Sequence, residues 1–269
     1  MNRDIFLSSI TVIDTETTNS QPELAEIVEI AAANYTGQTW NVNGMLLGVD
    51  GGIPPDASAR NNISNRMIDN LPNFANAVED VNGVLQLATT TYFVAHNSRY
   101  DQLVLAKSWN GAGHTDLSSV AENTDNWICT QRLTRHLLSQ SYPDLQYDLN
   151  YLRYKFDLPV ADDIRVHRAG GDALICAVLF EFLVDYALAV GVVSDEPDLG
   201  NQLHKLCWQP IIYTTWPFGK HKGVSFGKIP DDYYLWALQN LDALTDGHAN
   251  FNMDLSESVR LELECRLDC

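Results

Sequence analysis

A short β-branched run, Ile10-Thr-Val-Ile13, stops abruptly at the polar cluster Asp14-Thr-Glu-Thr-Thr-Asn19. Branched side chains favour extended backbone, so the run predicts a strand. Asp14 and Glu16 stand two residues apart at its end, and strand alternation turns both carboxylates to one face. Two such acids repel each other unless a cation lies between them. Hard oxygen ligands of this kind suit Mg2+ or Mn2+.

The later segments supply the rest of a sheet and its cover. Ile27 to Tyr35 suits a second strand, although Glu26 and the alanines also suit a helix. Val42 to Val49 is a third candidate strand, followed by a loop from Gly51 to Asp56. Phe74 to Leu87 has helical spacing. Tyr92 to Ala95 reads as a compact strand, with Asn97 placed to cap the helix after it. Trp127 to Thr130 is another short strand, leading to helices over Gln131 to Leu138, Leu145 to Phe156 and Ala173 to Val190. Strands come first and then alternate with helices, which predicts an α/β sheet covered by helices. The acidic, turn-rich segment Gly191 to Asn201 marks a boundary. We therefore expect a main domain over residues 1–191, a linker over 192–204 and a small α+β module over 205–269. That module would hold a β-like run, Ile211 to Thr215, the turn-rich Trp216 to Gly223, and two helix-like segments.

Charge narrows the function classes. The chain of 269 residues has 35 acidic and 17 basic side chains, a formal charge of −18. That excludes a protein held on DNA by a broadly basic surface. It leaves room for an enzyme that admits only a strand end, with bound cations supplying the local attraction, and for a protein partner with a basic face. The most apolar stretch, Ala173 to Val193, is broken by Glu181 and Asp185 and reads as a core helix, not a membrane span. The N-terminus meets Asp14 before a signal-peptide core can form. Five cysteines without a C-x-x-C predict free thiols and a cytoplasmic setting.

Two further segments carry acids at helix starts. Asp101 ends Tyr92-Phe-Val-Ala-His-Asn-Ser-Arg-Tyr-Asp101, and Asp172 opens the longest apolar helix five residues after His167. Taken alone, either aspartate is explained by the helix dipole. Together, Asp14-Thr-Glu-Thr-Thr18, Ala95-His-Asn97 with Asp101, and His167-Arg-Ala169 with Asp172-Ala173 resemble the motifs of the DEDD superfamily of 3′→5′ exonucleases. More closely, they resemble its histidine-bearing, DnaQ-like branch, including the exodeoxyribonuclease X type. The tyrosine branch would place Tyr where this chain has Arg168. The resemblance extends to Trp127-Ile-Cys-Thr130, Arg132-Leu-Thr-Arg135, Pro217-Phe-Gly-Lys-His-Lys-Gly223, Asp232-Tyr-Tyr-Leu-Trp236 and Asn240-Leu-Asp242. Asn61 departs from it, standing where many relatives carry a histidine. The acidic linker and the stretch Asp246 to Asp254 also exceed the expected length.

The resemblance implies a ribonuclease-H-like mixed sheet flanked by helices. It also implies hydrolysis of terminal DNA phosphodiesters to nucleoside 5′-monophosphates with two divalent cations, Mg2+ or Mn2+, roughly 3.5–4 Å apart. By analogy, Asp14 would bridge the two cations, Glu16 and Asp172 would complete the coordination of the first cation, and Asp101 would hold the second cation, partly through water. His167 would deprotonate the attacking water, since an imidazole can accept a proton near neutral pH. Thr15, Thr17, Thr18, His96, Asn97 and Arg168 are candidate contacts to the terminal nucleotide. Lys220 and Lys222 are candidate contacts to a longer strand, through phosphates beside aromatic rings. The alternatives are an exonuclease of RNA or short oligonucleotides, and a catalytically silent nucleic-acid- or protein-binding scaffold.

Overall fold

The computed structural model describes residues 2–246 and 252–267. Residues 247–251 of the long stretch after Thr245, and Cys269, lie outside the described residues. The described chain divides into two compact units, Met1–Cys207 and Trp208–Cys269.

The first unit is built on a five-stranded sheet. A short helix, α1 (Asn2–Leu7), precedes β1 (Ile10–Thr17), β2 (Ile27–Tyr35) and β3 (Trp40–Leu46). Two short helices, α2 (Pro55–Asn61) and α3 (Asn65–Ile68), lead to α4 (Val78–Leu85) and β4 (Tyr92–Ala95). Then come α5 (Arg99–Gly111), α6 (Thr115–Glu122), β5 (Trp127–Cys129), α7 (Thr130–Leu138), α8 (Leu149–Lys155), α9 (Ala169–Ala189) and α10 (Leu199–Cys207). The strand order is β3-β2-β1-β4-β5. The β1–β2 and β2–β3 pairs are antiparallel, and the β1–β4 and β4–β5 pairs are parallel. The sheet is therefore mixed and flanked by helices, as expected. The ambiguous segment Ile27–Tyr35 is a strand because it sits between two partners and buries nearly every side chain. Its alanines let a neighbour approach, and a Cβ on Gly44 of β3 would come within 2.9 Å of the Ala31 Cβ.

Helix α9 lies across β1, β2 and β3. Its apolar residues are spread around the helix, which suits a helix largely enclosed between a sheet and other helices, and its Glu181 and Asp185 meet Arg3; α7 and α8 pack beside it. It starts at Ala169, four residues before the expected position. The linker expectation fails at its C-terminal half. Residues 199–207 form α10, which packs on α7 and β5. Leu199, Leu203 and Cys207 are buried there, with the Cys207 Sγ against the Cys129 backbone N–H at 3.2 Å. A Cβ on Gly200 would lie 2.7 Å from the Phe6 ring. No described helix is long and apolar enough to cross a membrane. Cys129, Cys176, Cys207 and Cys265 are free thiols.

The second unit holds α11 (Asp231–Asn240) and α12 (Met253–Leu267) around Trp216, Phe226, Ile229, Tyr234, Ala237, Leu255 and Val259. In place of the strand expected at Ile211–Thr215, a single bridge joins Thr215 to Ser225.

The packing of α10 predicts where the first unit can be cut. A chain ending at Cys207 should melt in one transition. A chain ending at Gly191 exposes the α10 seat and loses two fully buried leucines, each worth about 2 kcal/mol. At about 2–4 °C per kcal/mol, its melting temperature should fall by roughly 10 °C or more, read by circular dichroism.

Candidate active site

The end of β1 and the start of α9 bring three acids together. Asp14 and Glu16 project from β1, and Asp172 lies in the first turn of α9. One carboxylate oxygen from each lies within 4.8 Å of the other two, and all three side chains are half-buried. Three hard oxygens at that spacing fit a divalent cation.

Asp101 stands one step behind them. It is buried in the first turn of α5, and its Oδ1 accepts the Thr15 hydroxyl at 2.7 Å. Thr15 lies between the two β1 acids in sequence, so this bond fixes the fourth carboxylate relative to the first two. The His167 N–H donates to Asp172 Oδ2 at 3.0 Å, and the residue itself is exposed. Its backbone takes the left-handed conformation, φ 56°. The approach to α9 is tight, since a Cβ on Gly171 would lie 2.0 Å from the Arg165 carbonyl oxygen. Glycine there lets residues 165–167 fold back over the helix start.

Electrostatics make the cluster costly without cations. Burial, and then the neighbouring acids Asp101, Asp172, Glu16 and Glu29, push the Asp14 carboxyl well above its usual range. Burial, followed by Asp172 and Glu29, raises Glu16 to about 8. Burial raises Asp101 to about 7 against the pull of the Thr15 hydroxyl. Asp172 is raised to about 6 by burial, opposed by the His167 N–H.

A fifth acid, Glu29, was not among the sequence candidates. It sits on β2 directly opposite Glu16, a like-charge pair that is unfavourable by itself. Arg168 resolves it. Its Nε donates to Glu29 Oε2 at 2.8 Å and its Nη2 to Glu29 Oε1 at 2.6 Å. The backbone N–H of Ala169 also donates to Glu29 Oε2 at 3.0 Å. Glu29 therefore serves as a distant cap for α9 and holds the loop that carries His167.

Several of the remaining expected contacts have structural partners. Arg168 spends its guanidinium on Glu29, not on open solvent. His96 bonds the Thr130 hydroxyl through Nδ1 at 2.8 Å and the Tyr147 carbonyl through Nε2 at 2.7 Å. Both ring nitrogens are thus engaged, and burial holds its pKa down. Thr18 is buried and closes the loop after β1, its hydroxyl accepting the Glu26 N–H. The Thr17 hydroxyl meets the Asn19 carbonyl and the Tyr100 hydroxyl. Asn97 takes a left-handed turn, φ 60°, which asparagine tolerates; Ser98 occupies the cap position of α5. Asn61 is buried, and its Oδ1 accepts the Ile63 N–H at 3.0 Å. Lys220 and Lys222 are exposed in the second unit.

The raised carboxyls fix the direction of a pH effect. Each binds its proton more tightly in the folded chain than in the unfolded one. Its contribution is full below about pH 4 and is lost as pH rises through its folded value, about 6 for Asp172, 7 for Asp101 and 8 for Glu16. Without divalent ions, the melting temperature should fall between about pH 5 and about pH 8, and Mg2+ should recover most of the loss. Asp14→Asn removes the most crowded charge, so its decline should be shallower while turnover is lost. Calorimetry across this range, with and without EDTA, reads both.

The exonuclease family model, RNase_T, matches residues 11–180. The chain is 25% identical over 239 residues to Exodeoxyribonuclease 10 of Escherichia coli strain K12, covering 87% of this chain and 92% of that one. It is 29% identical over 187 residues to the DNA polymerase III subunit epsilon of Treponema pallidum, covering 65% and 76%. Among solved structures, Exonuclease X in complex with 5′ overhanging duplex DNA superposes with a TM-score of 0.51 and 25% identity, covering 74% of this chain and 99% of that one. The match of the family model over most of the first unit, with its acids gathered at the end of β1, shows that the chain belongs to the exonuclease family, hydrolases of phosphodiester bonds.

Proposed function

We propose that this exonuclease removes nucleotides from the 3′ end of DNA, releasing nucleoside 5′-monophosphates, with two divalent cations held by the acids of β1, α5 and α9. The observation that carries the reading is the convergence of Asp14, Glu16 and Asp172 within 4.8 Å, with His167 tethered to Asp172. Exodeoxyribonuclease 10 and the DNA complex of Exonuclease X support DNA as the substrate. The free thiols suit a reducing cytoplasm.

Asp14, Glu16 and Asp172 would hold the first cation and Asp101 the second. Bound there, Mg2+ or Mn2+ supplies positive charge against the scissile phosphate and makes bound water more acidic. His167 takes a proton from the attacking water. The water oxygen bonds to phosphorus, the bond from phosphorus to the 3′ oxygen of the penultimate nucleotide breaks, and that oxygen takes a proton from solvent water to become the new 3′ hydroxyl, while His167 returns its proton to solvent. The exposed His167 can meet a strand end without rearranging the core, while its backbone stays anchored to Asp172. Arg168 and Glu29 hold that loop in register with β2.

Digestion of 5′-labelled single-stranded DNA and of its RNA counterpart, in Mg2+ or Mn2+, tests the reading. A ladder shortening from the 3′ end on DNA is expected, and it should vanish in EDTA and in Asp14→Ala. Faster shortening of RNA would reassign the substrate, and no shortening of either by a folded sample would leave the scaffold reading. His167→Ala should lower turnover by about 10²–10⁴. Near-normal turnover of that variant at neutral pH would remove His167 from the reaction.

A further inference from the structure

The second unit presents cations and rings together. Its two arginines are committed, Arg260 to Glu257 and Glu264, and Arg266 to Glu262 and Asp231. Lys220, Lys222 and Lys228 have no ion pair among the described residues, in a chain of net charge −18. Lys220 and Lys222 flank His221, whose ring meets Tyr233 edge-on at 4.3 Å between centroids. Tyr233 continues to Trp236 at 5.3 Å, with the rings tilted by 33°. The row is rooted, because Tyr233 also packs on the fully buried Trp216. Trp236 is 47% exposed and Phe218, beside Trp216, is 37% exposed. The core of the unit is already filled by Trp216, Phe226 and Tyr234, so its packing does not require these outer rings.

We infer that this face binds single-stranded nucleic acid, with phosphates on Lys220 and Lys222 and bases stacked on Trp236 and the adjoining rings. Exposed lysines on either side of a histidine that joins an aromatic row match a flexible anionic strand with a flat base on each unit. Stacking does not select sequence, since every base offers a π face, so the surface would hold any strand. None of the clustered carboxylates belongs to the second unit, and this face performs no chemistry. The inference takes its occupant from the exonuclease reading. That reading is tested separately, by cleavage of a dinucleotide by the unaltered chain, which is too short to need this face.

Binding of a fluorescein-labelled oligothymidylate to the full chain in EDTA, followed by anisotropy across a salt series, tests the inference. Trp236→Ala should weaken binding by about 5- to 100-fold, the range for losing one stacked base, and Trp236→Phe should recover most of it. Lys220→Ala with Lys222→Ala should reduce the slope of log affinity against log salt by about 1.4, or about 0.7 for each phosphate contact. Leu238→Ala, similarly exposed on α11, should bind as the unaltered chain does. Unchanged affinity in Trp236→Ala, an unchanged salt slope in the lysine variant, or an equal loss in Leu238→Ala would each overturn the inference.

Discussion

Three carboxylates within 4.8 Å of one another, with a fourth bonded to the strand between them, set the terms on which the first unit folds. Bringing such groups together, half out of water, is unfavourable, and the sequence places them at the most constrained points of the architecture. Asp14 and Glu16 end the central strand β1, which is fixed by β2 on one side and β4 on the other. Asp172 begins α9, a mostly apolar helix that packs across β1, β2 and β3. The burial of β1 and α9 supplies the free energy that the cluster consumes. This division is expected where a site is strained and its surroundings are not.

Local bonds offset part of that cost. The Thr15 hydroxyl stabilises the charged form of Asp101, and the His167 N–H does the same for Asp172. The bidentate pair of Arg168 and Glu29 neutralises the fifth acid, which would otherwise face Glu16 across the sheet. A planar guanidinium suits this task better than a lysine would, because its two donors match the two carboxylate oxygens. The pair also fixes the loop before α9, so the residue beside His167 controls that loop's position. The remaining imbalance among Asp14, Glu16 and Asp172 is what a divalent cation would relieve. The cluster thus gains stability and function from the same ligand.

How much of this was legible depended on whether a signal was local. Asp14 and Glu16 were visible because alternation along one strand places them together. The long helix was visible from its apolar run, and its start moved back to Ala169 because Glu29 caps it from 140 residues away. Glu29 itself gave no sign. In Ile27-Val-Glu-Ile-Ala it is one acid in a buried strand, and its partner lies 139 residues on. His96 misled for the same reason, because Thr130 and Tyr147, which occupy its ring nitrogens, are distant in sequence. The start of α10 did carry a local signal. Leu199, Leu203 and Cys207 recur every four residues, but the acidic, turn-rich residues before them drew the linker too far.

The strong negative charge of the chain and its anionic substrate class are compatible because bound cations would reverse the charge where the phosphate sits. Asp14, Glu16 and Asp172 gather there with Asp101 behind them, so the site becomes attractive to a phosphate only when loaded. Such a site would engage the strand end itself, where the cations sit. Arg168 is engaged with Glu29, and Arg3 with Asp4, Glu181 and Asp185, so neither of these guanidiniums is left to follow the rest of the strand. A second surface would hold the polymer between cuts. The lysines beside exposed rings in the second unit, without an ion pair among the described residues, are one arrangement that meets that need, since phosphates and flat bases are what such a pairing of groups holds.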